Sequence, residues 1–144
     1  MAPSQSTSAA PKPFLEAALL CDATAVDRST GKKSLLGIFD TVMLSRFPGG
    51  RVFSLYVRIV GAEGPYEFQA RLVDCRTGAI LAQGVWQAVV LTRFAGADYT
   101  IDFPPVELPD AGRYEFRIYA NQHFIGIAPL DARNFPAVNQ KEAA

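Results

Sequence analysis

Short hydrophobic runs recur along the chain about every 10 to 15 residues and are separated by Gly, Pro and Asp. In the run from Tyr66 to Asp74, hydrophobic and polar residues alternate, and the run from Val52 to Val60 alternates in the same way. A period of two places successive side chains on opposite faces of a β-strand. The pattern therefore predicts an all-β domain, and strands with one polar face predict antiparallel sheets.

Because each predicted strand must bury one hydrophobic face, about eight such strands predict an immunoglobulin-like antiparallel β-sandwich. The predicted strands are residues 14–25, 34–44, 52–60, 66–74, 79–91, 99–103, 112–121 and 124–129. Gly84 predicts a bulge or a change of sheet within the fifth strand. Pro104 and Pro105 predict the end of the sixth strand, since proline cannot donate a ladder hydrogen bond.

The length of 144 residues suits one domain. Residues 1–12 are rich in Ala, Ser and Pro and are predicted to form a flexible N-terminal tail, as are residues 137–144 at the C-terminus. The sandwich domain is therefore expected to span residues 13–136. Removal of residues 1–12 is expected to change the free energy of unfolding by at most about 0.5 kcal/mol.

The most specific local motif runs from Asp110 through Gly112 and Tyr114 to Phe116. It resembles the tyrosine corner of immunoglobulin-like domains, in which a tyrosine hydroxyl bonds to upstream backbone. The alternative is an ordinary glycine-containing turn followed by an aromatic strand. Phe116 stands where antibody-type domains often carry a cysteine, and Trp86 comes too late for their core tryptophan. The resemblance therefore implies a sandwich with such a corner and without the inter-sheet disulfide.

A wider resemblance runs from Leu15 to about Leu130. It rests on the strings LCD at 20–22, VD at 26–27, GK at 31–32, LLGIFD at 35–40, YEF at 66–68, RLVD at 71–74 and GRYEFR at 112–117. On these segments the chain resembles an uncharacterised bacterial family of small proteins. The resemblance implies a stand-alone β-sandwich, and it implies no activity and no functional residues.

Charge and cysteine content narrow the class of protein. Lys and Arg total 14 and Asp and Glu total 14, so the net charge is zero, whereas nucleic-acid binders usually carry a basic excess. No hydrophobic run approaches the roughly 18 residues of a membrane span, and no signal-peptide pattern is present. Cys21 and Cys75 are too few for a disulfide framework and are expected to be free. We therefore expect a cytoplasmic protein that binds neither nucleic acid nor membrane.

Catalytic and metal-binding motifs are incomplete. The single histidine, His123, lies beside the last predicted turn, without a carboxylate and a nucleophile at a fixed spacing. The string TGKKS at 30–34 lacks the first glycine of a phosphate loop and precedes a predicted strand. Calcium binding by loop carboxylates and a weak hydrolase built on paired acids stay open. We predict a protein that is not an enzyme and that uses no metal and no cofactor.

Outward-facing Tyr and Arg residues provide the candidate functional surface. They are Tyr56 and Arg58 on the third predicted strand, Arg71 on the fourth, and Arg117 and Tyr119 on the seventh. Tyr and Arg are enriched at protein interfaces. If the third and seventh strands share a sheet, these residues form one patch, which predicts a protein partner or self-association. The alternatives are an ordinary solvated face with cross-strand ion pairs and a small-molecule or carbohydrate-binding accessory domain.

Overall fold

The computed structural model describes residues 10–135, which contain nine β-strands and no helix. The strands are β1 (Phe14–Val26), β2 (Lys33–Phe39), β3 (Thr41–Leu44), β4 (Gly49–Val60), β5 (Gly64–Asp74), β6 (Ile80–Val90), β7 (Ala97–Leu108), β8 (Gly112–Ala120) and β9 (His123–Asn134). The predicted C-terminal tail and the first nine residues of the predicted N-terminal tail lie outside this range.

The strands form a four-stranded sheet in the order β2-β1-β4-β7 and a five-stranded sheet in the order β3-β9-β8-β5-β6. Neighbouring strands are antiparallel, except that β3 and β9 are parallel. The prediction of an all-β sandwich is confirmed, with nine strands among the described residues instead of about eight.

The hydrophobic core lies between the two sheets, and the period-two pattern of β4 and β5 places side chains in it. The inward residues of these two strands are buried: Phe53, Leu55, Val57, Ile59, Tyr66, Phe68, Ala70 and Leu72. Phe116 of β8 joins the sheets, because its ring centroid lies 6.0 Å from that of Phe53 on β4 and 5.0 Å from that of Phe103 on β7. Burial of these side chains is the main favourable term in folding.

The predicted second strand, residues 34–44, is in fact two strands in different sheets. β2 pairs with β1, whereas β3 pairs with β9. The change of sheet occurs at Asp40, whose backbone carbonyl accepts a hydrogen bond of 2.8 Å from the N–H of Asp131. Alternation does not reveal this change, because a chain that crosses between packed sheets through a bend can stay extended.

Two predicted breaks are absent. β7 continues through Pro104 and Pro105, because it is an edge strand and its register with β4 shifts at this point, which leaves room for residues that donate no ladder hydrogen bond. β6 is continuous through Gly84. This glycine instead allows the edge strands of the two sheets to approach, since a Cβ there would lie 3.3 Å from Ile101 of β7.

Residues of the predicted N-terminal tail contact the folded domain. The hydroxyl of Tyr66 donates a hydrogen bond of 2.6 Å to the carbonyl of Pro11, and Ala10 packs against the core. The side chain of Tyr66 is buried, with 4% of its surface exposed. The carbonyl of Pro11 therefore contributes to satisfying a hydroxyl that has little access to water.

We expect a chain that starts at Pro13 to have a lower free energy of unfolding than one that starts at Ala10, by about 0.5–1.5 kcal/mol, because it lacks the nearer of the two carbonyl acceptors of Tyr66. This replaces the smaller change that the composition of the tail predicts. Urea denaturation of the two truncated chains measures the difference. With Tyr66→Phe as background, the two truncations should differ less. Equal midpoints of the two truncated chains on the wild-type background would contradict the role of Pro11.

Candidate functional site

The five predicted interface residues do not form one patch. Tyr56 and Arg58 lie on β4 in the four-stranded sheet, whereas Arg71, Arg117 and Tyr119 lie on β5 and β8 in the five-stranded sheet. All five point away from the core, so the two groups lie on opposite faces of the sandwich. The outward orientation that the alternation predicts agrees with the structure, but the condition for one patch, that β4 and β8 share a sheet, is not met.

The group on the four-stranded sheet is an ion-pair network within the chain. Asp98 of β7 accepts hydrogen bonds from the hydroxyl of Tyr56 (2.9 Å) and from Nζ of Lys33 (2.8 Å). Arg58 donates through Nε to Glu16 (2.6 Å) and lies 3.9 Å from Asp98. Burial alone would raise the pKa of Asp98, but the hydrogen bonds from Lys33 and Tyr56 and the nearby cations outweigh it and lower the pKa. Burial and the hydrogen bond to Asp98 raise the pKa of Tyr56.

This network uses the polar groups of Tyr56 and Arg58 internally. Lys33 belongs to the hairpin of β1 and β2, and β4 and β1 separate β2 from β7 in the sheet. The contact of Lys33 with Asp98 therefore means that the hairpin of β1 and β2 reaches across part of this outer face. The polar groups of this network are therefore engaged by the chain itself.

The group on the five-stranded sheet is organised around Arg71. Its guanidinium lies over the ring of Tyr119, 4.7 Å from the ring centroid, and Nη2 donates to Oε1 of Gln69 at 2.8 Å. Among the described residues, Arg71 forms no ion pair, and its Nε is buried without an acceptor. Arg117 lies directly opposite Arg71 in the sheet and pairs with Glu115 at 2.7 Å. Arg71 is thus a positioned cation without a carboxylate partner in this part of the chain.

The same face of the sheet also carries exposed hydrophobic side chains. Phe124 of β9 packs edge-on against Tyr119, with centroids 5.8 Å apart, and is half exposed. Val85 and Val89 of the edge strand β6 are 51% and 69% exposed. We call this surface the five-strand face. Its outward residues include Glu67, Gln69, Arg71, Ile80, Val85, Val89, Arg117, Tyr119, Phe124 and Ile127.

Sequence reasoning missed the hydrophobic part of the five-strand face. The prediction of a split at Gly84 does not use the alternation of Val85 and Val89 with less exposed neighbours. A continuous period-two reading from Trp86, whose ring stacks on Phe68 in the core, would have placed both valines outward.

The motif around Tyr114 forms a polar cluster at one end of the sandwich, in which Tyr114 and Asp74 are buried and Asp110 and Arg76 are exposed. The hydroxyl of Tyr114 donates to the carbonyl of Asp110 and accepts a hydrogen bond of 3.2 Å from the N–H of the same residue. Gly112, at φ +147°, lies in the turn between them and close to the side chain of Arg76. Arg76 bridges the carboxylates of Asp74 (3.4 Å) and Asp110 (3.5 Å). Burial alone would raise the pKa of Asp74, but hydrogen bonds from Arg76 outweigh it and lower the pKa.

The candidate chemical groups lie apart from one another. His123 is exposed at the start of β9. The hydroxyl of Ser54 donates to Asp102 at 2.7 Å without a histidine between them. Cys21 is buried and Cys75 is exposed, and both thiols are free. Among residues 10–135, no group of three His, Cys, Asp or Glu side chains is placed to hold a metal ion.

In the same range of residues, no helix is long and hydrophobic enough to cross a membrane.

The chain belongs to the DUF6941 family, a family of unknown function, whose model matches residues 16–133. This match includes all nine strands in whole or in part. The named residues of the five-strand face all lie between Glu67 and Ile127 and are therefore within it. Among curated proteins, no match to the chain was found.

Proposed function

We propose that this member of the family is a non-catalytic protein-interaction or assembly module that acts through the five-strand face. The observation that carries this proposal is the state of Arg71. Its guanidinium is held by Tyr119 and Gln69, it has no ion-pair partner among the described residues, and exposed hydrophobic side chains lie on the same face. The equivalent face of the other sheet satisfies its polar groups within the chain.

The composition of the five-strand face supports a protein as the partner. Aromatic residues and arginine are enriched at interfaces because they combine a large contact area with directional bonds. Contiguous exposed hydrophobic patches rimmed by polar residues mark interaction sites. On a broad sheet, Phe124 and Val85 supply such area, while Arg71 and Arg117 supply forked hydrogen-bond donors.

We also propose a fold type, a cellular compartment and a class of partner for this module. It is an immunoglobulin-like domain, supported by the hydrogen bonds between Tyr114 and Asp110 and by the packing of two sheets. It works in a reducing, cytoplasmic compartment, supported by two free thiols. Its zero net charge favours a protein partner over nucleic acid or a membrane surface.

A small-molecule or carbohydrate-binding accessory domain is the alternative function. A groove between the edge strands β6 and β7 favours it, because the groove is lined by Trp86, Tyr99 and Asp98. The Nε1 of Trp86 is buried without an acceptor among the described residues. Asp98, however, is already bonded to Lys33 and Tyr56, so the groove offers few free polar groups. A weak hydrolase is supported less, since no paired acids with free carboxylates line this groove.

Affinity capture from the native host with a tagged chain tests the five-strand face. We expect Phe124→Asp to lose most of the proteins that the wild type retains, including untagged copies of the chain if it self-associates, because an unpaired charge buried in an interface is poorly tolerated. Phe94→Asp is the matched control: this phenylalanine is 91% exposed in the loop between β6 and β7, outside the face.

Quantitative mass spectrometry of the captured proteins, after circular dichroism has shown that both variants are folded, measures the result. A set of captured proteins that Phe124→Asp and Phe94→Asp retain equally would show that the five-strand face is not the interaction surface.

A further inference from the structure

We infer that the occupant of the five-strand face is a second copy of this chain, docked about a twofold axis that crosses β5 at Gln69 at right angles to the strand. The inference rests on the proposed function, because it names the partner of the same surface. Twofold interfaces are self-complementary, so each residue must meet a suitable residue of an identical face. Three features of the five-strand face meet this condition.

The first feature is the order of charges along β5. Its outward residues are Glu67, Gln69 and Arg71, and they form a chain of hydrogen bonds, from Arg71 Nη2 to Gln69 Oε1 (2.8 Å) and from Gln69 Nε2 to Glu67 Oε1 (3.3 Å). The axis at Gln69 reverses the direction of the second strand. Glu67 then lies opposite the partner's Arg71, and Arg71 opposite the partner's Glu67. One acid and one base placed symmetrically about a neutral amide are complementary to themselves.

The second feature is that both charges lack a partner of opposite sign within residues 10–135. Arg71 donates one hydrogen bond to a neutral amide, and Glu67 pairs with no lysine or arginine there. The neighbouring Arg117, by contrast, is paired with Glu115. Reciprocal contacts across the axis would give both groups the counter-ion that the single chain does not provide, and charge-assisted hydrogen bonds are the strong ones.

The third feature is the register of the hydrophobic residues. Val85, Gln69, Tyr119 and Phe124 are consecutive cross-strand partners and form one row. An axis along this row places each of these side chains against its own copy. In the pairing of β5 with β6, Val89 lies opposite Pro65, four positions before Gln69, and Ile80 lies opposite Val73, four positions after it. The axis therefore places Val89 opposite the partner's Ile80. Hydrophobic residues therefore meet hydrophobic residues on both sides of the charge pairs.

Charge reversal tests this arrangement. Glu67→Arg places like charges in both reciprocal contacts of a homodimer, and so does Arg71→Glu. We expect each variant alone to dimerise at least about tenfold more weakly than the wild type, since like charges brought together at an interface are strongly unfavourable. A mixture of the two variants should dimerise, because every contact between them joins opposite charges. The chain that carries both changes should also dimerise with itself.

Analytical ultracentrifugation over a series of concentrations measures the dissociation constants, and circular dichroism checks that each variant is folded. Arg28→Glu, in the exposed turn between β1 and β2, is the control of equal charge change and should dimerise like the wild type. A wild type that stays monomeric at its highest soluble concentration would overturn the inference. Recovery that fails in both the mixture and the double variant, although the wild type dimerises, would overturn the axis at Gln69.

These outcomes are distinct from failure of the proposed function. If the chain is monomeric but Phe124→Asp still loses a captured protein that Phe94→Asp retains, the five-strand face binds a different protein and only the twofold inference fails. If Phe124→Asp loses nothing, the proposed function fails as well.

Discussion

Replacement of Phe116 with alanine is expected to lower the free energy of unfolding by about 3–5 kcal/mol. Phe116 is fully buried on β8, and its ring contacts Phe53 and Phe103 of the opposite sheet. The substitution removes the transfer free energy of the ring and leaves a cavity between two sheets whose strands are fixed by hydrogen bonds. Since domains of this size are stable by about 5–15 kcal/mol, the loss is a large part of the total.

Urea denaturation measures this change, and the dependence of the unfolding free energy on urea should stay the same if only stability is altered. Phe94→Ala is the control, because that ring is almost fully exposed and its loss should cost no more than about 0.5 kcal/mol. Phe116→Leu should retain part of the stability if the alanine variant does not fold. Similar midpoints for Phe116→Ala and Phe94→Ala would mean that the sheets do not pack through Phe116.

Tyr114→Phe is expected to cost about 1–3 kcal/mol, although it removes only one oxygen atom. Tyr114 is buried, and its hydroxyl both donates to the carbonyl of Asp110 and accepts from its N–H. The variant leaves both backbone groups without this partner at the turn before β8. Thermal or urea denaturation gives the difference directly, because the phenylalanine ring fills the same volume.

Tyr119→Phe provides the matched control for this change. Tyr119 lies on the same strand and faces outward, and its hydroxyl makes no hydrogen bond with the described residues. Its removal should change the free energy of unfolding by no more than about 0.5 kcal/mol. If both variants unfold at the same urea concentration, the hydroxyl of Tyr114 does not stabilise the turn.

The local level of the fold was predictable, because alternation is a property of each strand by itself. The inward residues of β4 and β5 and the free state of both cysteines were predicted correctly. The pairing of strands was not predictable, since it depends on segments that are distant along the chain. The change of sheet at Asp40 and the continuation of β7 through Pro104 are tertiary effects, and nothing near these residues in the sequence indicates them.

For the candidate surface, too, the orientation of single side chains was predictable and the assignment of strands to sheets was not. Arg71, Arg117 and Tyr119 were predicted to face outward and do so, but the sequence could not assign Tyr56 and Arg58 to the other sheet. The difference between the two groups depends on Asp98 and Lys33, whose contact joins strands far apart in the chain. The sequence does not distinguish an arginine with an ion-pair partner, such as Arg58, from one without a partner among the described residues, such as Arg71.

While a ribosome synthesises the chain, β3 emerges long before its partner strand. The register joins Thr41 to Asp131, about 90 positions later, which corresponds to roughly 5–20 s of elongation at about 5–20 residues per second. During this interval β3, which carries the buried residue Val42, has no strand with which to pair. In the hairpins of β5 with β6 and of β8 with β9, by contrast, the partner strand is the next strand along the chain. β3 can therefore take its place at the edge of the five-stranded sheet only after the last strand has been made, so this edge of the sheet is completed at the end of synthesis.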